Sequence, residues 1–353
     1  MINSKQWDRL YQLLDPSSKS PFFSSEYYRS YTEVEGGKPL CFTMYKDDDN
    51  FLFYPFIKKS INEIGYQLDD DYYDIIGAYG YNGPIGKTSD SGFIRSFNAE
   101  LQEYLSQKKI VTEFVRYCPI VGNRRFHDYT NQIDVLDNVY INLADGLDSV
   151  WEKSFASRVR RSIRKGASYN LKTNFFRGNE ITKENIKTFF DIYNETMKRT
   201  KADEFYYFDF EFFMKLVENL NKTILLSITY FEDTPISTEL ILMDGELAFG
   251  FLGGTLSEYY QYKANTFQRW ELLKYLDIIG VKKYSMGGGA IRGDGIYKFK
   301  LSFARECENP FYIGIHVHKE DIYQEIKKQW KEKHPKAAER YGHLLLGYRH
   351  LDR

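Results

Sequence analysis

Thr223-Ile-Leu-Leu-Ser-Ile-Thr-Tyr230, Pro235-Ile-Ser-Thr-Glu-Leu-Ile-Leu-Met-Asp244 and Glu246-Leu-Ala-Phe-Gly-Phe-Leu-Gly-Gly-Thr255 are three strand-like runs in direct succession, bounded by Asp, Pro and Gly turn signals. They lead into the polar turn Gln261-Tyr-Lys-Ala-Asn-Thr266, a helical stretch at 267–279 and a short strand ending in Gly287-Gly-Gly289, after which comes Tyr297-Lys-Phe-Lys300. Strand–turn–helix junctions present backbone N–H groups without intrahelical partners and so attract anions. This stretch is therefore expected to hold an activated, phosphate-bearing donor. Gln261, Asn265 and Thr266 in the turn, and Gly287, Gly288 and Gly289 after the strand, are its donor-binding candidates, with Asn265 or Thr266 as the helix cap.

Outward from this stretch, a strand at 171–176 and helices at 183–199 and 209–220 precede it. A helix at 294–303 and a strand at 311–317 follow, so the second half reads β-α-α-β-β-β-α-β-α-β. Such mixed order predicts an α/β (α+β) domain with a mostly antiparallel sheet, one parallel crossover and flanking helices. The first half repeats the scheme, with helices at 5–14 and 25–32, strands at 40–46, 51–61 and 72–77, a helix at 92–107 and a strand at 110–117. Its turn Tyr79-Gly-Tyr-Asn-Gly83 echoes Phe249-Gly-Phe-Leu-Gly253. The expected organisation is a domain at 1–145, a similar one at 146–318, and a C-terminal helix and tail at 319–353 packing back on the domains. Ile322, Ile326 and Trp330 give that last helix its apolar stripe.

At 353 residues the chain has room for two cores, and its 42% hydrophobic and 27% charged fractions are those of a globular protein. Thirty Tyr and 27 Phe suit partly polar grooves, although an AT-rich coding bias gives the same excess. A net charge of −1 supplies no basic field for duplex DNA. Cys41, Cys118 and Cys307 are dispersed and odd in number, which indicates neither a disulfide framework nor a metal site. The N-terminus lacks the apolar core of a signal peptide, and no apolar run approaches a membrane span, so a cytoplasmic location is expected.

Four segments, in this order and spacing, resemble the FemABX-like branch of the GNAT acyltransferase superfamily. They are Tyr79-Gly-Tyr-Asn-Gly-Pro84, Arg158-Val-Arg-Arg-Ser-Ile-Arg-Lys165, Glu195-Thr-Met-Lys-Arg199 with Tyr206-Tyr-Phe208, and Gly287-Gly-Gly289 followed by Phe299-Lys300. The resemblance spans about residues 22–317. It implies two tandem GNAT-like domains and direct transfer of an acyl or aminoacyl group to an amine, forming an amide, with no permanently bound cofactor. It also implies acyl-CoA or aminoacyl-tRNA as co-substrate, a small-molecule or lipid-linked glycan or peptide acceptor of the cell envelope, and peripheral association with a membrane. Nothing between Leu171 and Leu220 matches the long charged hairpin of some bridge-forming relatives. The Gln-x-x-Gly-x-Gly/Ala loop of CoA-binding relatives reads Gln261-x-x-Ala264-x-Thr266 here, without its glycines.

Carried over by the resemblance, Lys300 stands by the reacting carbonyl, where an ammonium stabilises the developing oxyanion, and Phe299 walls its approach. Read on its own, Lys300 is one of two lysines flanking a phenylalanine, which solvated charges also do. Arg199 is assigned to the acceptor's phosphates, with Tyr206 and Tyr207 nearby. Arg161 and Arg164 belong to a helix with five cations in eight residues, which fits a diphosphate, an RNA backbone or a solvated face equally. Asp203, Glu204 and Glu239 are candidates for a general base, although alternation in its strand also places Glu239 in solvent. His127, His316 and His318 show no partner spacing. The rival readings are a non-catalytic glycan- or nucleotide-binding protein on a duplicated GNAT scaffold, and an RNA-binding module.

Overall fold

The computed structural model of the chain describes residues 1–305 and 309–352; Cys307, counted above, lies outside them. Helices α1 (Ser4–Gln12) and α2 (Ser25–Glu35) precede strands β1 (Lys38–Asp47), β2 (Asn50–Ser60), β3 (Tyr73–Ile76) and β4 (Ile85–Lys87). Helix α3 (Ser91–Gln107) leads to β5 (Ile110–Arg116), β6 (Asn131–Asp137) and β7 (Val139–Asn142). Next come α4 (Leu147–Ser149), α5 (Ser157–Ser168), β8 (Lys172–Arg177), α6 (Lys183–Thr200) and α7 (Phe210–Asn219). Strands β9 (Ile224–Phe231), β10 (Thr234–Asp244) and β11 (Leu247–Thr255) form the opening triplet, followed by α8 (Ala264–Ile278), β12 (Lys283–Gly287) and α9 (Gly295–Leu301). Strand β13 (Pro310–Val317) and helices α10 (Glu320–Lys333) and α11 (Pro335–Tyr341) complete the order.

The chain forms two compact units, one of Met1–Leu14, Phe22–Val135 and Phe311–Arg353, the other of Asp15–Pro21 and Leu136–Pro310. In the first, the sheet runs β1-β2-β3-β5-β13-β6, with β4 pairing β2. Strands β3 and β5 are parallel neighbours, because α3 returns the chain between them. Phe97, Leu101 and Leu105 of α3 pack on Phe42, Phe56 and Ile75 of the sheet. Ile326 and Trp330 of α10 bury against Tyr66 and Tyr348, so the stripe read from the sequence packs within this unit.

In the second unit the order is β7-β12-β11-β10-β9-β8. Here β11 and β12 are the parallel pair and α8 is the crossover. Leu272, Leu273 and Leu276 on one face of α8 sink into the core with Leu225, Ile241 and Tyr284. Truncating one such leucine costs about 2–5 kcal/mol. Both units are thus mixed, mostly antiparallel sheets flanked by helices.

Pairing departs from the expected boundaries in three places. Strand 310–317, expected in the second domain, joins β5 of the first unit, with Ile313 opposite Arg116 and Val317 opposite Thr112. Strand β7, expected in the first domain, pairs with β12, with Ile141 opposite Tyr284. Near the N-terminus, the Pro16 carbonyl accepts from Glu246 N at 2.9 Å, which ties residues 15–21 to the second unit. An alternating strand pattern fixes which face is buried but not which edge the strand joins.

Candidate active site

The site follows from a parallel pair that separates. Strands β11 and β12 pair at Leu247↔Lys283, Ala248↔Tyr284 and Phe249↔Ser285, and no further. Beyond that point β11 bulges: Ile241 pairs with Gly250 and Leu240 with Leu252, leaving Phe251 as the extra residue. A bulge bends its strand and re-aims side chains. The result is a cavity of about 500 Å³, lined by Gly250–Thr255 of β11, Thr238 and Glu239 of β10, Met286 of β12, and residues of α6, α8 and α9. Two glycines make the crowding possible. A Cβ on Gly250 would stand 2.6 Å from Glu239 Oε1 and 2.7 Å from Tyr284 Oη, and one on Gly254 would stand 2.7 Å from the Ile192 carbonyl of α6.

Lys300 enters this cavity from α9. Asp294 caps that helix, accepting from Tyr297 N at 2.7 Å through Oδ1 and from Ala290 N at 2.7 Å through Oδ2. The Arg158 guanidinium of α5 donates to the Lys298 carbonyl at 2.9 Å, holding α9 from outside. Lys300 Nζ in turn donates to the Gly288 carbonyl at 2.6 Å. Burial, with the Arg269 charge beside it, pushes the Lys300 ammonium down to about 8, against the opposing pull of Glu239 and Asp294. Phe299 sets its ring 5.3 Å from Phe303, with the Arg269 guanidinium 5.8 Å away on the cavity side.

Glu239 is 8% exposed rather than solvated, because both faces of β10 are covered. Its Oε1 accepts from Tyr284 Oη at 2.9 Å and faces Arg269 Nη1 at 3.5 Å. Burial, the largest influence, would lower the Arg269 guanidinium, but Glu239 and Tyr284 together outweigh it and hold it above its ordinary range. Beneath the cavity, Gln268 of α8 accepts from Ser237 Oγ at 2.7 Å and donates to Ser227 Oγ at 2.8 Å. Ser237 also bonds Thr255 Oγ1 at 2.7 Å, so one satisfied network ties α8 to three strands. Arg269, Gln268 and Tyr284 escaped the sequence reading. The signal for the network was a run of polar residues, Ser237-Thr-Glu239, inside an otherwise apolar strand.

Of the residues singled out beforehand, Lys300, Phe299, Arg199, Asn265 and Glu239 border the cavity. Thr266 is buried just behind it, and Gln261 is exposed in the turn Ser257–Tyr262. The cap of α8 is Lys263, in the left-handed conformation at φ 61° and without a side-chain cap bond, rather than Asn265 or Thr266. The helix starts three residues earlier than its apolar pattern because Ala264 is itself buried. Gly287 (φ +68°), Gly288 and Gly289 are not among the lining residues; Gly288 serves through its carbonyl on Lys300. Tyr206 and Tyr207 are exposed on the turn after α6 and do not line the cavity, nor do Arg161 and Arg164, exposed on α5. Arg164 lies 5.4 Å from the Trp151 ring, while Arg160 donates to the carbonyls of Trp151 and Phe155. Asp203 caps its own turn through Phe205 N at 3.1 Å.

The histidines do have partners, across long sequence separations in the first unit. His318 Nε2 lies 3.1 Å and His127 Nε2 3.4 Å from the buried Glu113 carboxylate, which also accepts from Tyr129 Oη at 2.8 Å. Burial pushes the His127 imidazole below its usual range, only partly opposed by Glu113.

Residues 153–300 match the family model described as an acetyltransferase (GNAT) domain. The chain is 22% identical to the aminoacyltransferase FemB of Staphylococcus epidermidis, over 93% of this chain and 94% of that protein. In fold it is similar to FemX, with a TM-score of 0.63 at 13% identity over 92% of this chain and 98% of that one. It is also similar to the C-terminal domain of a putative lysylphosphatidylglycerol synthetase from Agrobacterium fabrum, with a TM-score of 0.56 at 11% identity over 88% and 91% of the two chains. No helix among the described residues is long and apolar enough to cross a membrane. With a splayed parallel pair, a bulged strand and a lysine held at the opening, the chain carries a GNAT acetyltransferase-type domain over residues 153–300 and is similar along nearly its whole length to FemABX-like acyltransferases.

Proposed function

We propose that the protein is an aminoacyltransferase that forms an amide on an amine-bearing acceptor of the peptidoglycan-precursor class, linked to a nucleotide or a lipid, with aminoacyl-tRNA as donor. The observation that carries this reading is the Lys300 ammonium, fixed by the Gly288 carbonyl beside Phe299 and Arg269 in a partly closed cavity. The acceptor nitrogen attacks the donor's carbonyl carbon. As the C–N bond forms, charge collects on the carbonyl oxygen, where Lys300 donates a hydrogen bond. Collapse breaks the ester C–O bond, and the proton given up by the nitrogen ends on the leaving ribose oxygen. We assign Arg199 to a phosphate of the acceptor, and Tyr206, Tyr207, Arg161 and Arg164 to more distant contacts with a long substrate.

Aminoacyl-tRNA is preferred to acyl-CoA because the loop into α8 carries Ala264 and Thr266 where CoA-binding relatives bring glycine backbone against a diphosphate. The test is transfer of a labelled amino acid from aminoacyl-tRNA, and of acetyl from acetyl-CoA, to a nucleotide-linked muramyl peptide. Transfer from the tRNA and none from CoA is the expected result. Transfer from CoA alone would reverse the donor assignment. Tight acceptor binding without transfer from either donor would favour a binding scaffold.

A further inference from the structure

A carboxylate in a strand covered on both faces costs free energy unless its charge is used. Among the described residues lining the cavity, Glu239 is the one acid, set against the cations Arg199, Arg269 and Lys300. Neutralising Arg269 does not account for it. The two approach to 3.5 Å, and the buried Arg269 Nε has no hydrogen-bond partner among the described residues. A pair kept for its own stability is expected to close into a two-bond fork. Tyr284 Oη donates to the same oxygen, Oε1, at 2.9 Å. Gly250 leaves the space that oxygen occupies, since a Cβ there would stand 2.6 Å from it. Oε1 is thus held from the protein side, while no donor among the described residues meets Oε2. A carboxylate with one oxygen fixed and the other free, on the wall of a cavity, is a receptor for a cation.

We propose that Glu239 receives the α-ammonium of the aminoacyl group being transferred. The inference rests on the aminoacyl-transfer reading of this site and adds a specificity-determining residue to it. An aminoacyl ester carries its ammonium on the carbon next to the reacting carbonyl. The ammonium's partner must therefore share a cavity with the oxyanion donor. Glu239 does, and its charge acts on Lys300 there. With three cations bordering the same space, an incoming ammonium without a carboxylate would be repelled. An acyl group that lacks the ammonium leaves Oε2 without a partner, which is how a polar site rejects such an analogue.

The probes are two RNA hairpins carrying the single-stranded end of a tRNA acceptor stem, one amide-linked to alanine and the other to lactate. They differ only in an α-ammonium against an α-hydroxyl. Titrated calorimetrically against the full chain, the wild type is expected to prefer the alanyl probe by about 10- to 100-fold, the worth of a hydrogen bond to a charged group. Glu239→Gln is expected to bind the two equally. Equal affinities in the wild type overturn the proposal without any variant, as does binding of neither probe. A preference that survives in folded Glu239→Gln overturns it too, and if turnover is lost in that variant Glu239 is a proton acceptor instead. Should Glu239→Gln fail to fold with Arg269 unpaired, the double variant Glu239→Gln, Arg269→Gln removes both charges and is held to the same result. Turnover of the wild type is read separately: absence of transfer sinks the proposed function, whereas equal affinities sink only the ammonium receptor.

Discussion

The two units solve the same geometric problem in opposite ways. Each has a parallel pair joined through a crossover helix, and each pair holds for three matched positions before its strands part. In the first unit the chain fills the gap with its own loop. Asn82 N donates to the Arg116 carbonyl at 2.8 Å, Asn82 Oδ1 accepts from Arg116 N at 2.6 Å, and Arg116 Nη2 donates to the Ala78 carbonyl at 2.7 Å. Asn123 then secures the loop by donating to the carbonyls of Asn82 and Pro84, both at 3.0 Å. An asparagine amide thus completes the bonds a neighbouring strand would have made. In the second unit the chain runs on through the bulge at Phe251, and the gap becomes the cavity that holds Lys300. One copy of the architecture is closed by backbone mimicry; the other is left open as a cavity.

The largest test of this contrast is Lys300→Ala. Losing the oxyanion donor is expected to lower turnover about 10²–10³-fold while the melting temperature is retained; full activity in that variant would move the chemistry out of the open gap. Asn82→Ala probes the closed gap and should act on stability alone. Unpairing the Arg116 amide in a buried place costs about 1–3 kcal/mol, read as a lower denaturation midpoint, with turnover at low temperature unchanged. A fall in turnover without a change in stability would mean that both gaps work. The smallest effect is on pH. With Lys300 held near 8, its protonated fraction, and hence the rate, should fall as pH rises through about 8, approaching tenfold per unit beyond it. The rate ratio of Lys300→Arg to wild type should therefore climb above pH 8, since arginine keeps its charge, and a flat ratio would remove the ammonium from the mechanism. The sign for stability is opposite. Between about 8 and the ordinary lysine value the unfolded chain binds more protons, so this group's contribution to stability rises with pH.

Much of the second unit was legible because its signals are local. The triplet β9–β11, the crossover and the Gly-ended strand each announce themselves by composition and turn residues. Lys300 and Phe299 were reached only through a resemblance, since a lysine beside a phenylalanine has no local signature. What stayed hidden depends on distant partners. Strand 310–317 looks the same whichever sheet it joins. Glu239 alternates like a solvent-facing residue, and only a strand covered on both faces turns it inward onto Tyr284 and Arg269. His127, His318 and Glu113 meet across up to 205 residues. The left-handed start of α8 at Lys263 was missed because a lysine rarely adopts that conformation, and glycine would have marked it.

The hydrogen bond from Lys300 to Gly288 spans only twelve residues of chain, and Asp294 ties the intervening loop to the start of the same helix. The Lys300 ammonium, the proposed oxyanion donor, is thus oriented largely by a short, self-contained cassette, 287–300. Substitutions elsewhere around the cavity can change which acceptor or side chain is admitted while the geometry of that cation is inherited intact. Diversification of specificity within such a scaffold therefore need not reinvent its chemistry.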